Sequence, residues 1–191
     1  RFEVFFLTHH LWPLWLALLL AHGPVAWKWM IAPIALFLFD RFVVRRSVRT
    51  KTKRAEVLPS GVTRLRIERP EGFDFEPADY VLVRIPEIAR GEWHPFTISS
   101  APERRDELTL HVRRAGNWTG ALHDLAASHR KADPPIEVWL DGPHGAPSVH
   151  ALSSRRVLLV AAGIGVTPFA SLIESMVERV ASGDGLPVDK V

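Results

Sequence analysis

The stretch Val62-Thr-Arg-Leu-Arg-Ile-Glu68 interleaves apolar residues with polar and charged ones, which is the pattern of a half-buried β-strand. Four further short β-rich runs follow it, with Gly and Pro between them: Tyr80–Ile85, Phe96–Ile98, Leu108–Val112 and Ile136–Leu140. Several short strands separated by turns predict a small antiparallel barrel or sandwich. Between the last two runs, Thr119–Arg130 has apolar residues at helical spacing, and Thr119 has N-cap chemistry.

The pattern changes after residue 150. Val157–Ala162 is a short and wholly apolar run, which suits a buried parallel strand. The glycine turn Gly163-Ile-Gly-Val-Thr-Pro168 follows, and Phe169–Val180 has helical spacing. Strand, glycine turn and helix form the start of a dinucleotide-binding unit, although many strand–helix turns contain two glycines. No Gly-Lys-Ser/Thr is present, which excludes a P-loop. We therefore expect residues 151–191 to be an incomplete α/β domain of a longer protein.

The composition excludes several classes of protein. The 191 residues carry 24 Lys and Arg against 21 Asp and Glu, and 47% of residues are apolar, which is too apolar and too mixed for a disordered chain. The chain contains no Cys, which rules out a disulfide scaffold, a Cys-ligated zinc site and an iron–sulfur cluster.

The charges are distributed unevenly. Two apolar runs, Val4–Ala21 and Val25–Val44, are separated by Gly23-Pro24, and a basic cluster from Arg41 to Arg54 overlaps and follows the second run. This order predicts a transmembrane helical hairpin with its turn on the non-cytoplasmic side, because basic residues collect at the cytoplasmic end of membrane segments. The alternatives are two buried helices of a soluble protein and, for the basic cluster, a nucleic-acid patch; a cleaved signal peptide fits poorly.

Histidines lie within or at the edge of the first run, at His9, His10 and His22. An ionisable side chain at membrane depth is costly, which makes it a functional candidate, and imidazole is a good axial ligand of haem iron. His9 and His22 would lie about 20 Å apart along one helix, a separation that suits two stacked cofactors. On a straight helix, however, the two side chains would diverge by about 140°. Spacing alone therefore leaves open whether these histidines bind haem or cap and pair at the helix end.

Several motifs carry a resemblance when they are taken together and in order. The chain resembles the NADPH oxidase family of transmembrane flavohaem oxidoreductases, within the wider ferric reductase and ferredoxin-reductase-like group. The resemblance covers nearly the whole chain and rests on Thr8-His-His-Leu11 with His22-Gly23, Pro86–Arg90, Glu92-Trp-His-Pro-Phe-Thr-Ile-Ser-Ser-Ala-Pro-Glu103, His111-Val-Arg113, Gly116-Asn-Trp-Thr119, Asp141-Gly-Pro-His-Gly145 and Gly163–Phe169.

The resemblance implies an FAD site. Phe96 and Pro95 are expected to wall the isoalloxazine and Thr97 to hydrogen-bond near its N5, while Arg113 and Thr119 would bind the pyrophosphate. Trp118 is expected either to stack on a ring of FAD or to cap the barrel. The full expected set is Trp93, His94, Pro95, Phe96, Thr97, Ser99, Ser100, His111, Arg113, Trp118 and Thr119.

The resemblance also implies a nucleotide site and two haem ligands. The NADPH-binding turn would consist of Gly163, Ile164, Gly165, Val166, Thr167 and Pro168. His9 and His22 would each give one axial ligand to a b-type haem, with the trans ligands on other membrane helices. The implied organisation is multi-domain: 1–44 as two transmembrane helices, 45–54 as a basic linker, 55–150 as an antiparallel β-barrel FAD domain, and 151–191 as the start of the NADPH domain.

The implied activity is transmembrane electron transfer from NADPH through FAD and two haems to O2, giving superoxide. The FAD and NADPH domains would lie on the cytoplasmic side of a lipid bilayer, and no nucleic-acid partner is expected. The alternatives are a ferric-chelate reductase with the same electron path, a non-catalytic membrane flavin-binding module, and a soluble oxygenase-coupled flavin reductase, which the hairpin disfavours.

Overall fold

A computed structural model of the chain describes residues 8–23, 25–40, 47–130 and 133–183. The chain divides into two compact units, residues 1–46 and residues 47–191. In the first unit, helix α1 (Trp12–His22) is followed by helix α2 (Ala26–Phe39), and the Ala26 N–H donates to the Gly23 carbonyl at 2.9 Å. The Gly23 N–H closes α1 by donating to the Leu19 carbonyl, and the Trp12 and Phe37 rings meet edge to face at 6.2 Å.

The two helices are shorter than the predicted hairpin requires. Helix α1 has 11 residues and α2 has 14, whereas a bilayer core needs about 20. Within the described ranges, no helix combines the length and apolar character required to cross a membrane. The transmembrane hairpin is therefore not supported by these residues. Parts of the two predicted segments, residues 1–7, 24 and 41–46, lie outside the described residues.

Six antiparallel strands form the second unit, and they are β1 (Val48–Val57), β2 (Val62–Glu68), β3 (Tyr80–Arg84), β4 (His94–Thr97), β5 (Glu107–Arg113) and β6 (Glu137–His144). Their order across the sheet is β4-β3-β6-β1-β2-β5. An isolated bridge between Ile98 and Leu110 joins the end of β4 to β5. Since β4 and β5 are the two edges of the sheet, this bridge nearly closes it into a barrel, which confirms the barrel alternative and rejects the sandwich.

Strand β1 corrects the expectation of a linker at 45–54, because residues 48–54 lie within it. Thr52 and Ala55 face the core, and the basic side chains point outward to acidic partners, two of which lie on neighbouring strands. Arg49 pairs with Glu137 at 2.5 Å, while Lys51 pairs with Glu68 at 3.4 Å. These ion pairs explain how a run of positive charge is accommodated at the surface of a barrel.

The core of this unit lies inside the barrel. Leu65 and Ile67 from β2 and Leu108 and Leu110 from β5 are fully buried, and each contributes about 1.5–3 kcal/mol. Helix α3 (Asn117–Ser128) adds Trp118, Leu122 and Ala126, which lie on one face because they are spaced by four residues. The helix begins two residues before the predicted start, with Gly116 as its N-cap and Thr119 at the third helical position.

The residues after 150 differ in part from their prediction. Helix α4 (Thr167–Ser182) contains the predicted helix and follows a 3-10 turn at Gly163–Val166. The predicted strand at 157–162 is wrong for this chain, since the segment has no strand pairing, and Leu158 and Val160 are 88% and 78% exposed. An apolar run becomes a strand only beside another strand, and none of the described strands lies next to it.

Candidate functional site

Strand β4 carries the central motif His94-Pro-Phe-Thr97, and its two faces have different surroundings. In register with β3, His94 lies opposite Val83 and Phe96 lies opposite Val81, both of which are fully buried. Because successive side chains of a strand point to opposite faces, His94 and Phe96 face inward while Pro95 and Thr97 face outward. Pro95 and Phe96 therefore lie on opposite faces of β4, and their predicted contacts with the isoalloxazine stay a prediction.

The inward face of β4 packs on Trp118 at the start of α3. The Trp118 ring lies 4.4 Å from that of His94 and 5.7 Å from that of Phe96, between centroids, with interplanar angles of 31° and 28°. Trp118 is only 6% exposed, which favours the predicted barrel-capping role over stacking on a ring of FAD. The His94 Nε2 atom lies 3.1 Å from the Glu92 carboxylate at the outer end of this stack.

The outward face of β4 continues onto β3 and β6. Thr97 lies opposite Tyr80 in the ladder, and the Tyr80 ring contacts the His144 ring at 5.1 Å. The His144 Nε2 atom lies 3.6 Å from an Asp141 carboxylate oxygen. Pro95 and Tyr80 are exposed and Thr97 is partly so, which makes this the face of β4 that is open to a ligand.

Ser99 and Ser100 connect the end of β4 to β5 and are both buried. The Ser99 hydroxyl donates to the Thr109 carbonyl at 3.0 Å, and the Ser100 hydroxyl accepts the Thr109 N–H at 3.0 Å. Ser99 Oγ also lies 2.7 Å from His111 Nδ1. A hydroxyl has one hydrogen, so with that hydrogen on Thr109 the His111 Nδ1 must be the donor to Ser99. The neutral ring then presents an unprotonated Nε2.

Burial, together with the positive charge of Arg64, lowers the pKa of His111 below its ordinary value of about 6.5. The unfolded chain therefore binds this proton more readily than the folded chain, and stability present above pH ~6.5 is lost as pH falls towards the lowered value. We expect His111→Gln to remove this part of the pH dependence. Urea unfolding between pH ~7.5 and ~5.5 would show a difference from the wild type that shrinks on acidification.

The matched control for this pH measurement is His123→Gln, on α3 beside Asp124. Equal pH slopes for the wild type and the His111 variant would contradict the expectation.

The N-terminus of α3 provides the features expected of a pyrophosphate site. Arg113, the last residue of β5, is exposed beside it, and the first turn of the helix contains no acidic residue. The Thr119 hydroxyl accepts the N–H groups of Ala115 and Gly116, both at 2.9 Å, and its predicted contact with the pyrophosphate stays a prediction. Arg113 and the positive end of the helix dipole fit a phosphate, while Thr119 shapes the turn.

The glycine turn before α4 has the backbone form that a dinucleotide site uses. Gly163 has a φ of 54°, which favours glycine, and the Thr167 hydroxyl donates to the Ile164 carbonyl at 3.1 Å. Pro168 is the second residue of the helix, whose first turn contains no acidic residue. The turn and the helix N-terminus thus fit an anionic group.

The predicted haem ligands belong to the other unit. His9 precedes α1 and His22 lies in its last turn, and both are exposed. Among the described residues, no cluster of three or more His, Cys, Asp or Glu side chains is placed to hold a metal ion.

A comparison with known families decides how the barrel is classified. The sequence pattern of the FAD-binding domain family matches residues 47–148, which span β1 to β6 and include α3. The chain belongs to the FAD-binding domain family. This FAD-binding domain resembles a crystal structure of a ferredoxin NADP+ reductase from Neisseria gonorrhoeae with bound FAD and NADP, with a TM-score of 0.56, 20% identity, and coverage of 70% of this chain and 53% of that one. The likeness confirms the ferredoxin-reductase-like fold.

Curated relatives extend the similarity beyond the FAD-binding domain. NADPH oxidase 5 of Homo sapiens is 37% identical over 94% of this chain, and dual oxidase 2 of Homo sapiens is 36% identical over 100% of it. The chain spans 28% and 13% of the lengths of these two relatives. These relatives confirm the resemblance to the NADPH oxidase family.

Sequence reasoning missed two arginines that organise loops around the site. Arg69 is buried after β2 and hydrogen-bonds the carbonyls of Phe73, Pro102 and Arg104. Arg84 lies between two indoles, 5.0 Å from the Trp93 ring and 4.6 Å from that of Trp139. Trp93, expected beside the flavin, therefore contacts Arg84. Arg84 could have been predicted from the sequence, because the alternation of β3 places it on the same outward face as Tyr80.

A cleft in this unit lies away from β4, between β1 and residues 68–71 and 135–137. Four of its charged side chains pair with each other, Arg49 with Glu137 and Lys51 with Glu68. The motif residues of β4 do not line it, so the candidate site is assigned to the outward face of β4 and the two helix N-termini.

Proposed function

We propose that this chain is the flavin-binding part, with the start of the nucleotide-binding part, of an NADPH oxidase that passes electrons from NADPH through FAD and two b-type haems to O2. The observation that carries the proposal is the collinear similarity to oxidases over at least 94% of the chain. When bound, FAD would supply the chemistry that converts a two-electron donor into single-electron steps.

The residues of the chain would bind and orient the cofactors. Arg113 and the N-terminus of α3 would hold the FAD pyrophosphate, and Thr97 with Tyr80 would contact the isoalloxazine on the outward face of β4. Ser99 fixes the His111 ring through Nδ1, so that Nε2 would serve as a hydrogen-bond acceptor. The turn Gly163–Pro168 would hold the phosphates of NADPH at the start of α4.

The membrane segment is the second part of the proposal. The described residues of α1 and α2 include no buried residue, and all of their Trp and Phe side chains and most of their Leu side chains are exposed. A large exposed apolar surface needs a covering environment, and we propose that the bilayer and other membrane helices supply it. His9 and His22 would then each supply one ligand to a b-type haem, with the FAD and NADPH domains on the cytoplasmic side.

An absorption spectrum of the full-length protein tests this function, followed by anaerobic addition of NADPH. We expect flavin bands and a b-type haem Soret band, bleaching of the flavin bands by NADPH, and superoxide release in air without added iron. Reduction of a ferric chelate without superoxide would favour the ferric-chelate reductase. Flavin bands that NADPH does not bleach would favour the non-catalytic module, and flavin without haem would remove the histidine assignment.

A substitution at Arg113 tests the placement of the pyrophosphate. We expect Arg113→Ala to weaken FAD binding about 10- to 100-fold, because a hydrogen bond to a charged group contributes about 1.5–3 kcal/mol. The measurement is FAD retention, and titration of apoprotein with FAD. The matched control is Arg105→Ala, which removes an exposed arginine paired with Asp74 at 3.0 Å. Equal FAD affinities for the two variants would place the pyrophosphate elsewhere.

A further inference from the structure

Helix α4 is fastened to the segment that follows β4 by a row of polar side chains. We propose that this row, the α4 seam, fixes the nucleotide turn relative to the flavin strand and makes Glu103 and Glu174 positioning residues for electron transfer from NADPH to the flavin. The α4 seam consists of Ser171, Glu174, Ser175 and Arg179 on the helix and of Ser100, Ala101, Glu103 and Arg104 on the segment. The inference rests on the proposed function.

The centre of the α4 seam is buried. Ser171 is fully inaccessible, and its hydroxyl donates to the Ser100 carbonyl at 2.7 Å. The same oxygen accepts the N–H of Ala78 at 3.2 Å, so one side chain of the helix joins two segments of the barrel. A buried hydroxyl that both donates and accepts a hydrogen bond fixes the position of the helix on the barrel, because a shift of the helix along its axis would leave these buried groups unpaired.

Two carboxylates extend the α4 seam in opposite directions. Glu174, from the helix, accepts the Ala101 N–H at 2.8 Å and pairs with Arg104. Glu103, from the segment, accepts the Ser175 hydroxyl at 2.8 Å and the Arg179 Nε–H at 3.0 Å. The helix and the segment therefore each contribute one carboxylate, and each binds the carboxylate of the other. These bonds are strong, because hydrogen bonds to charged groups are stronger than those between neutral groups.

The positions of the α4 seam in the chain connect it to both proposed cofactor sites. Ser171, Ser175 and Arg179 recur every four residues, which places them on one face of α4. The nucleotide turn at 163–166 leads directly into this helix, and Ser100 is three residues beyond the end of β4. The proposed step would transfer a hydride from the nicotinamide C4 of NADPH, which would become NADP+, to the flavin, which would take up both electrons. A misplacement of 1 Å is enough to slow such a step about 100-fold.

The test uses the full-length protein and the variants Glu103→Ala and Glu103→Gln. Amide hydrogen exchange of residues 171–182 reports how firmly the helix is seated, and it needs no turnover. Anaerobic stopped-flow at saturating NADPH reports flavin reduction. The matched control is Glu68→Ala, which removes an exposed ion pair with Lys51 on the barrel.

For Glu103→Ala we expect about tenfold faster exchange in α4 and at least about tenfold slower flavin reduction, with unchanged FAD content. Glu103→Gln keeps an oxygen acceptor and should recover part of both effects. Exchange no faster than in the Glu68 control would overturn the proposal, and so would faster exchange with an unchanged reduction rate. If wild-type flavin is not reduced by NADPH, the proposed function fails by itself, and the exchange measurement still decides whether the α4 seam holds the helix.

Discussion

Trp118→Ala is expected to lower the free energy of unfolding by about 3–5 kcal/mol, as large aromatic-to-alanine changes in protein cores do. Trp118 is buried against His94 and Phe96, so its removal opens a cavity between α3 and β4. Chemical unfolding followed by far-ultraviolet circular dichroism measures the effect. FAD content should fall as well, because the inward face of β4 loses its support while the proposed site lies on the outward face.

The control for this cavity is Trp118→Phe. The indole Nε1–H is buried without a hydrogen-bond partner in the described part of the chain, and phenylalanine removes that unpaired group while keeping a ring in place. We expect a loss of only about 1–2 kcal/mol. If alanine and phenylalanine at this position proved equally stable, the aromatic stack would not support β4.

Arg69→Met is expected to lower the free energy of unfolding by about 3–5 kcal/mol, because its two part-buried hydrogen bonds from a charged donor, to the Phe73 and Pro102 carbonyls, contribute about 1.5–3 kcal/mol each. The side chain is 4% exposed, and its N–H groups donate to the carbonyls of Phe73 at 2.7 Å, Pro102 at 2.6 Å and Arg104 at 2.9 Å. Methionine fills similar space but has no N–H group to donate to these three carbonyls. Because Pro102 and Arg104 flank Glu103, the variant should also loosen the α4 seam, as amide exchange in α4 would show.

The contrast for this position is Arg105→Met. Arg105 pairs with Asp74 at 3.0 Å, as Arg69 does, but it is exposed, and exposed pairs contribute at most about 1 kcal/mol. Burial and the neighbouring charge of Arg105 also lower the pKa of Arg69. Equal losses in the two methionine variants would mean that the carbonyl contacts of Arg69 contribute nothing.

The barrel and its two helices were predictable because each has a hydrophobic period that is local in sequence. The alternation in Val62–Glu68 and the helical spacing before Ser128 identify which faces are buried. Strand β1 was not predicted because its outward side chains are basic, and a run of basic residues is typical of a linker. Its place in the sheet becomes clear only from the ion pairs that these side chains make with acidic residues such as Glu68 on β2 and Glu137 on β6. The apolar run at 157–162 shows the reverse case, since strand formation depends on a neighbouring strand that local sequence does not reveal.

The candidate site was predictable as a set of motifs but not as a geometry. The sequence places His94-Pro-Phe-Thr97 on a strand, and the two-residue period alone separates Pro95 from Phe96. Arg69 and Glu103 act on residues far away in the chain, Arg69 on Arg104 and Glu103 on Arg179. Such pairings depend on tertiary packing, which a periodicity argument does not contain.

The near-closure of the barrel has a consequence for its dynamics. In the described part of the chain, strand β4 is paired continuously with β3, whereas its other side is fastened to β5 only by the Ile98–Leu110 bridge and by the bonds of Ser99 and Ser100 to Thr109. Local opening should therefore begin at this corner, where few main-chain bonds resist it, while β1 and β2 stay protected in the middle of the sheet. A small molecule that binds across the corner only in the closed conformation would shift the equilibrium from the open to the closed conformation by mass action. The ratio of closed to open molecules would rise with the concentration of that molecule.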